Sequence, residues 1–179
     1  MRDPLSQPLP GGGRHNIPLS MEALLKLLKT NAHAPLEDLA KELNLSEGEV
    51  KKRVAKYEKD GVILGYQAII DANKASNGSV TAVIEVKITP ERGGGFDRLA
   101  SRIARFDQVL SCYLMSGGYD LLVIVEGATL QEVANFVAEK LSTIKGVIST
   151  STHFRLKAYK ENGALMVREA KSKRLPVAP

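Results

Sequence analysis

Apolar residues recur at helical spacing in three short blocks near the start of the chain. Met21, Leu24, Leu25 and Leu28 form the first stripe, Leu36, Leu39, Ala40 and Leu43 the second, and Val50, Val54 and Tyr57 the third. Pro35 suits the first position of the second helix, where its missing N–H costs nothing. Asn44 and Leu45 make a tight connection. Ser46 and Glu49 then have the spacing of a capping box, with Leu45 and Val50 placed to staple the helix start. The third helix ends at Asp60-Gly61, where glycine can take the left-handed conformation. From Val62 to Ile70 the residues are β-prone and predict a wing-like strand region; Asp71 to Gly78 is polar and reads as a linker.

Beyond the linker the period changes to two. Val80, Ala82, Ile84, Val86 and Ile88 alternate with Thr81, Val83, Glu85 and Lys87, the signature of a strand buried on one face. Helical spacing returns at Phe96, Leu99, Ala100, Ile103 and Phe106. Val109 to Met115 and Tyr119 to Glu126 are two strands around Gly117-Gly118, a hairpin turn that calls for positive φ. Thr129 and Glu132 cap a second helix with the stripe Leu130, Val133, Ala134, Val137 and Leu141. Gly146 ends it, and Ile148, Thr150, Thr152, Phe154, Leu156 and Ala158 alternate along a last strand. The order βαββαβ predicts a ferredoxin-like domain with both helices on one face of an antiparallel sheet. The expected organisation is a tail at 1–19, a winged helix-turn-helix at 20–70, the linker at 71–78, the sheet domain at 79–160 and a basic tail at 161–179, an α+β chain overall.

Composition narrows this picture in three ways. With 179 residues and 44% apolar content the chain can build packed cores, but no apolar run approaches the roughly 20 residues that span a bilayer. The start, with four of the eight prolines and Gly11-Gly12-Gly13 before Ser20, lacks the apolar segment of a signal peptide; Met21 is a candidate for the biological start. Cys112 is the single cysteine, so no internal disulfide can form and a cytoplasmic, reducing location is expected. The formal charge of +5 is uneven: residues 20–76 hold nine Lys/Arg and nine Asp/Glu, residues 77–152 seven and eight, and residues 153–179 seven and two. The excess therefore sits in the C-terminal tail, and the high pI by itself argues little for nucleic acid.

Several motifs then resemble one family. Leu36-Glu37-Asp38-Leu39-Ala40-Lys41-Glu42-Leu43-Asn44-Leu45-Ser46, with Arg53 and Tyr57-Glu58-Lys59-Asp60-Gly61-Val62-Ile63, resembles the helix-turn-helix of Lrp/AsnC transcription regulators, and Gly65-Tyr66-Gln67-Ala68 is similar to their wing. Met115-Ser116-Gly117-Gly118-Tyr119-Asp120 resembles the family's Gly-x-Tyr-Asp hairpin, and Gly146-Val147-Ile148-Ser149-Thr150-Ser151-Thr152 the entry to its last strand. The match runs in order over residues 20–160. It implies an oligomeric, DNA-binding regulator, dimeric or higher, modulated by an amino acid or similar effector and not an enzyme. Siroheme decarboxylases share the architecture and stand as the enzymatic alternative; an oligomeric sensor with weak or no DNA binding is the other.

The resemblance puts the third helix in the major groove, with Lys51, Lys52, Arg53 and Lys56 as the residues that meet double-stranded DNA. Read alone, that helix has five basic residues against four acidic ones, which also describes a solvated mixed-charge face. The resemblance further implies that Ser116, Gly117, Gly118, Tyr119 and Asp120, with Thr150 and Thr152, hold the effector. Their plain reading is a tight hairpin and ordinary strand positions. Gly93-Gly94-Gly95 has the strand-to-helix context of a phosphate loop but not its spacing, since Arg98 stands where a third glycine belongs. His15, His33, His153 and Cys112 show no metal-ligand spacing, and no cofactor is expected.

Overall fold

A computed structural model describes residues 19–71, 74–75, 78–90 and 95–166. The expectations for the N-terminal tail, for Gly93-Gly94 and for the tail after Met166 lie outside these residues. Two compact units divide the chain, Met1–Ala68 and Ile69–Pro179.

The first unit contains three helices, α1 (Leu19–Thr30), α2 (Leu36–Leu43) and α3 (Glu47–Lys59). Their apolar stripes meet in one small core of Leu24, Leu39, Ala40, Val50 and Tyr57, with Leu25, Leu28, Leu45 and Val54 packed around it. Pro35 takes the capping position just before α2 rather than its first helical residue, with φ −56° and ψ 141°. The α2–α3 connection turns at Asn44, whose left-handed φ of 53° lets its N–H and that of Leu45 close onto α2 carbonyls. Ser46 Oγ accepts the N–H of Glu49 at 3.2 Å, the helix start foreseen from the S-x-x-E spacing. Gly61, at φ 68°, ends α3 as predicted.

The wing did not form as a strand. Residues 63–70 run without ladder partners, and Leu64 is 93% exposed. β-propensity marks a segment that fits a pleated surface, but a strand exists only when a neighbour supplies the hydrogen bonds. None of the described residues of this chain does so here.

The second unit is a four-stranded antiparallel sheet with two helices. Its main elements are β1 (Val80–Ile88), α4 (Asp97–Ile103), β2 (Val109–Leu114), β3 (Leu121–Gly127), α5 (Leu130–Asn135) and β4 (Val147–Phe154). The strand order β2-β3-β1-β4 places β1 between β3 and β4, the ferredoxin-like arrangement that the βαββαβ pattern predicts. On one face Ala82, Ile84, Val86 and Ile88 join Leu121, Val123 and Val125 beneath Leu99 and Ile103 of α4 and Val133 of α5. Each of the Val, Leu and Ile side chains among them contributes roughly 1.5–3 kcal/mol by leaving water. Phe106 and Phe136 close one end edge-to-face, with centroids 5.4 Å apart.

Pairing of Val83 with Ile124 and His153, and of Glu85 with Leu122 and Ser151, puts these residues on the opposite face. Neither helix of the sheet domain covers that face. Val83, Leu122 and Ile124 are half-buried there, with exposed Tyr113 beside them.

Three details depart from the periodicity. After α5 the helix widens into a π-helical stretch, Phe136–Leu141, where Ser142 N–H reaches back five residues to Val137 O at 2.8 Å. Phe136, three residues after Val133, is buried, while Leu130 at the start of α5 is exposed. The register between β1 and β4 shifts after Lys87, so that Ile88 pairs with Val147 and Ile148 is left exposed. The last strand also stops at Phe154 instead of running to Ala158, and a short hairpin follows, β5 (Lys160–Glu161) and β6 (Ala164–Leu165), turning at Asn162 and Gly163.

Candidate nucleic-acid interface and effector site

On α3 the buried residues Val50 and Tyr57 face α1 and α2, which turns the opposite side outward. Lys51, Lys52 and Lys56 are exposed on that outward side. Lys59 is exposed too, and it continues the i, i+4, i+7 row begun by Lys52 and Lys56. Sequence reasoning counted its charge without placing it in the row; the spacing itself was the available signal. Arg53 is less exposed, and its guanidinium donates to the Glu49 carboxylate one turn earlier. That pairing turns Glu49 away from the reciprocal half of the capping box. The outward face of α3 is thus a row of lysines beside a neutralised Arg–Glu pair.

The extended segment after Gly61 folds back on the same helix. Tyr66 Oη donates to Glu58 Oε1 at 2.9 Å. Partial burial raises the Tyr66 pKa, and the hydrogen bond to Glu58 and its negative charge act in the same direction. Burial likewise raises the Tyr57 pKa, offset in part by the Arg53 charge.

The predicted effector residues fall into two groups near the C-terminal half of β1. Asp120 Oδ2 accepts the N–H of Ile88 at 2.8 Å while the Asp120 N–H donates to Val86 O at 3.1 Å, tying the β2–β3 loop to the end of β1. Gly117 carries the expected positive φ, at 142°; Gly118 does not. Ser116, Gly117 and Gly118 are exposed, and Tyr119 is half-buried. Thr150 and Thr152 lie across β1, opposite Val86 and Ile84, and both are half-buried. The Thr150 hydroxyl is already hydrogen-bonded to that of Ser142 at 3.3 Å. No hydrogen bond among the described residues joins the two groups, with β1 between them. Oδ1 of Asp120 and the hydroxyls of Ser116, Tyr119 and Thr152 form no side-chain hydrogen bond among the described residues.

Elsewhere, His153 Nε2 lies 3.3 Å from Ser151 Oγ and 3.6 Å from Glu85 Oε1 on the sheet face away from α4 and α5. Cys112 is half-buried beside the Ala100 carbonyl, and burial pushes its thiol pKa up, away from the reactive thiolate. Among the described residues no group of three His, Cys, Asp or Glu is placed to hold a metal.

A three-helix unit presenting one capped, lysine-bearing helix, followed by a ferredoxin-like sheet domain, defines a DNA-binding protein with an attached regulatory domain. Residues 21–63 match the model for winged helix-turn-helix DNA-binding, and residues 81–165 match the Lrp/AsnC ligand binding domain. An uncharacterised HTH-type transcriptional regulator of Bacillus subtilis, YugG, is 47% identical over 157 residues, covering 87% of this chain and 95% of its own. The HTH-type transcriptional regulator FL11 of Pyrococcus horikoshii is 31% identical, covering 81% of this chain and 93% of its own. A transcriptional regulator of Neisseria meningitidis, crystallised as an L-Met complex, superposes with a TM-score of 0.63 at 23% identity, over 80% of this chain and 92% of its own. The chain belongs to the Lrp/AsnC family of DNA-binding transcriptional regulators.

The Tyr57 hydroxyl is buried with no hydrogen-bond partner among the described residues. An unsatisfied buried hydroxyl costs about 1–3 kcal/mol. Tyr57→Phe is therefore expected to leave stability unchanged or raise it by about 1 kcal/mol, read from the urea unfolding midpoint. A loss of stability would mean that the hydroxyl has a partner.

Proposed function

We propose that this regulator binds duplex DNA through the outward face of α3 as a dimer or larger oligomer of the chain, and that an amino acid modulates it. The cell interior is its place of action. The observation that carries the reading is the construction of α3. A Ser46 cap and a buried Val50–Tyr57 side fix the helix rigidly while Lys51, Lys52 and Lys56 stand free of the core. Lysines on such a helix neutralise phosphates and set its position, while sequence is read by the side chains that reach base edges. The Glu49 carboxylate offsets the charge of Arg53, so one copy binds weakly and several copies on one duplex bind much more strongly.

The sheet face away from α4 and α5 supports the oligomer. Val83, Leu122, Ile124 and Tyr113 form an apolar centre rimmed by Glu85, Lys87 and Glu126, the distribution found in self-complementary interfaces. The effector reading rests on the loop around Asp120 and on the match to a ligand-binding domain; the neisserial relative was crystallised with L-Met. The free oxygen of Asp120 suits an ammonium group, and the hydroxyls of Ser116, Tyr119 and Thr152 suit a carboxylate. Such a ligand changes DNA binding only through unequal affinity for two assemblies.

Replacing Lys51, Lys52 and Lys56 by alanine is expected to weaken binding to duplexes selected from random DNA and to flatten its salt dependence by about 0.9 for each phosphate left without its lysine, with the oligomer mass unchanged. Undiminished binding would remove α3 as the DNA-facing surface. Ile124→Glu, on that sheet face, should reduce the mass in sedimentation equilibrium to that of one chain; a wild-type protein already monomeric would end the oligomer reading. Calorimetric titration with the common amino acids should give heat for at least one, and that heat should fall at least tenfold in Asp120→Asn; silence for all of them argues against amino-acid control.

A further inference from the structure

The sheet domain carries a second basic surface. Leu99 and Ile103 anchor α4 to the core, so Arg98, Ser101 and Arg102 fall on its outer side, with Arg105 in the turn that follows. These four residues, with Asp97 at the rim, line one shallow concavity. Arg98 and Arg102 stand one turn apart on α4, and Arg105 follows in the turn after its end. All three are exposed, and neither Arg102 nor Arg105 is ion-paired among the described residues. Among the described residues Asp97 is the one carboxylate lining the concavity with Arg102 and Arg105, whereas Glu49 and Glu58 lie among the α3 lysines.

We infer that this arginine cluster is a second docking surface for the phosphate backbone of duplex DNA. Charge is the first argument. The helix-turn-helix region is electrically balanced, with nine basic and nine acidic residues over 20–76, so its own electrostatic attraction to DNA is small. Counterion release makes sequence-independent affinity proportional to the phosphates neutralised, so local clusters of cations outside that region, these arginines and the basic tail alike, add to it. Chemistry is the second. The planar guanidinium presents paired donors that fit a phosphate, which a lysine does not do. Position is the third: Arg105, in the turn beyond the end of α4, lines the same concavity as Arg98 and Arg102, so the guanidiniums gather on one surface. The cluster would hold DNA without reading its sequence, extending the duplex length that an oligomer engages.

The inference rests on duplex binding by this family member but not on α3 being the surface that makes it. The test is the salt dependence of binding by the full chain, measured as fluorescence anisotropy with a long labelled duplex. Arg98→Gln, Arg102→Gln and Arg105→Gln combined should lower affinity at low salt and make the slope of log affinity against log salt shallower by about 0.9 for each phosphate that the arginines no longer neutralise. Arg102→Gln with Arg105→Gln, which leaves the other interactions of Arg98 in place, should give a proportionate part of that change. The matching lysine substitutions should restore most of the slope, and oligomer mass and thermal unfolding should stay as in the wild type.

An unaltered slope in the two-site variant overturns the inference. So does heat on titration with inorganic pyrophosphate or with polyglutamate that vanishes in the variant while duplex binding persists; the concavity would then serve a small anion or an acidic protein segment. If the wild-type chain binds no duplex, the proposed function fails first. If the α3 lysine variant loses salt dependence and the arginine variant does not, this inference alone fails.

Discussion

The sheet domain depends on one constraint, that β1 must be buried on a single face while paired along both edges. Ala82, Ile84, Val86 and Ile88 go into the core together because a strand repeats every two residues; a slip of one position would drive Glu85 and Lys87 into it. That penalty fixes the register against β3 and β4 at once. It carries the β2–β3 loop to the end of β1, where Asp120 captures the Ile88 N–H, and it sets Thr150 and Thr152 on the far side. It also leaves Val83, Leu122 and Ile124 facing away from both helices. The candidate effector groups and the candidate subunit interface are consequences of the same ladder.

The helix-turn-helix unit solves a different problem with much less material. Among the described residues its buried centre is five side chains drawn from three helices, so local signals carry unusual weight in placing α3. The left-handed turn at Asn44, the Ser46 cap and the Gly61 terminus together set where that helix starts, points and stops. What remains outward is a mixed-charge face in which lysines are available and Arg53 is partly engaged by Glu49. A surface of this kind suits a protein whose affinity comes from several weak interactions, and the arginine cluster at α4 fits the same pattern.

Much of the fold was legible in the order of residues, and the reason is that its main signals are local. Alternation along β1 and β3, helical stripes in the first 60 residues, the S-x-x-E start of α3 and glycine at its end are all set by backbone geometry over a few positions. They were enough to place the βαββαβ order, and the family resemblance that they framed agrees with the matched domain models. The lysines of α3 were legible as a group, and Lys59 could have been added from spacing alone.

Tertiary structure decided what depends on partners distant in the chain. The β-prone stretch after Gly61 found no ladder in its own chain and stayed unpaired, because propensity cannot supply hydrogen-bonding neighbours. Phe136 is buried where Leu130 was expected to be, and the shift after Lys87 exposed Ile148; both follow from fitting side chains against surfaces that no local period encodes. Likewise only the folded sheet shows that Asp120 commits one oxygen to the backbone and that Thr150 is already bound to Ser142. Periodicity along the chain determined which elements form and which face each one buries, because those follow from repeats of two and 3.6 residues. Which atoms of a candidate site remain unengaged was settled by packing, because that depends on the particular neighbours the fold brings alongside.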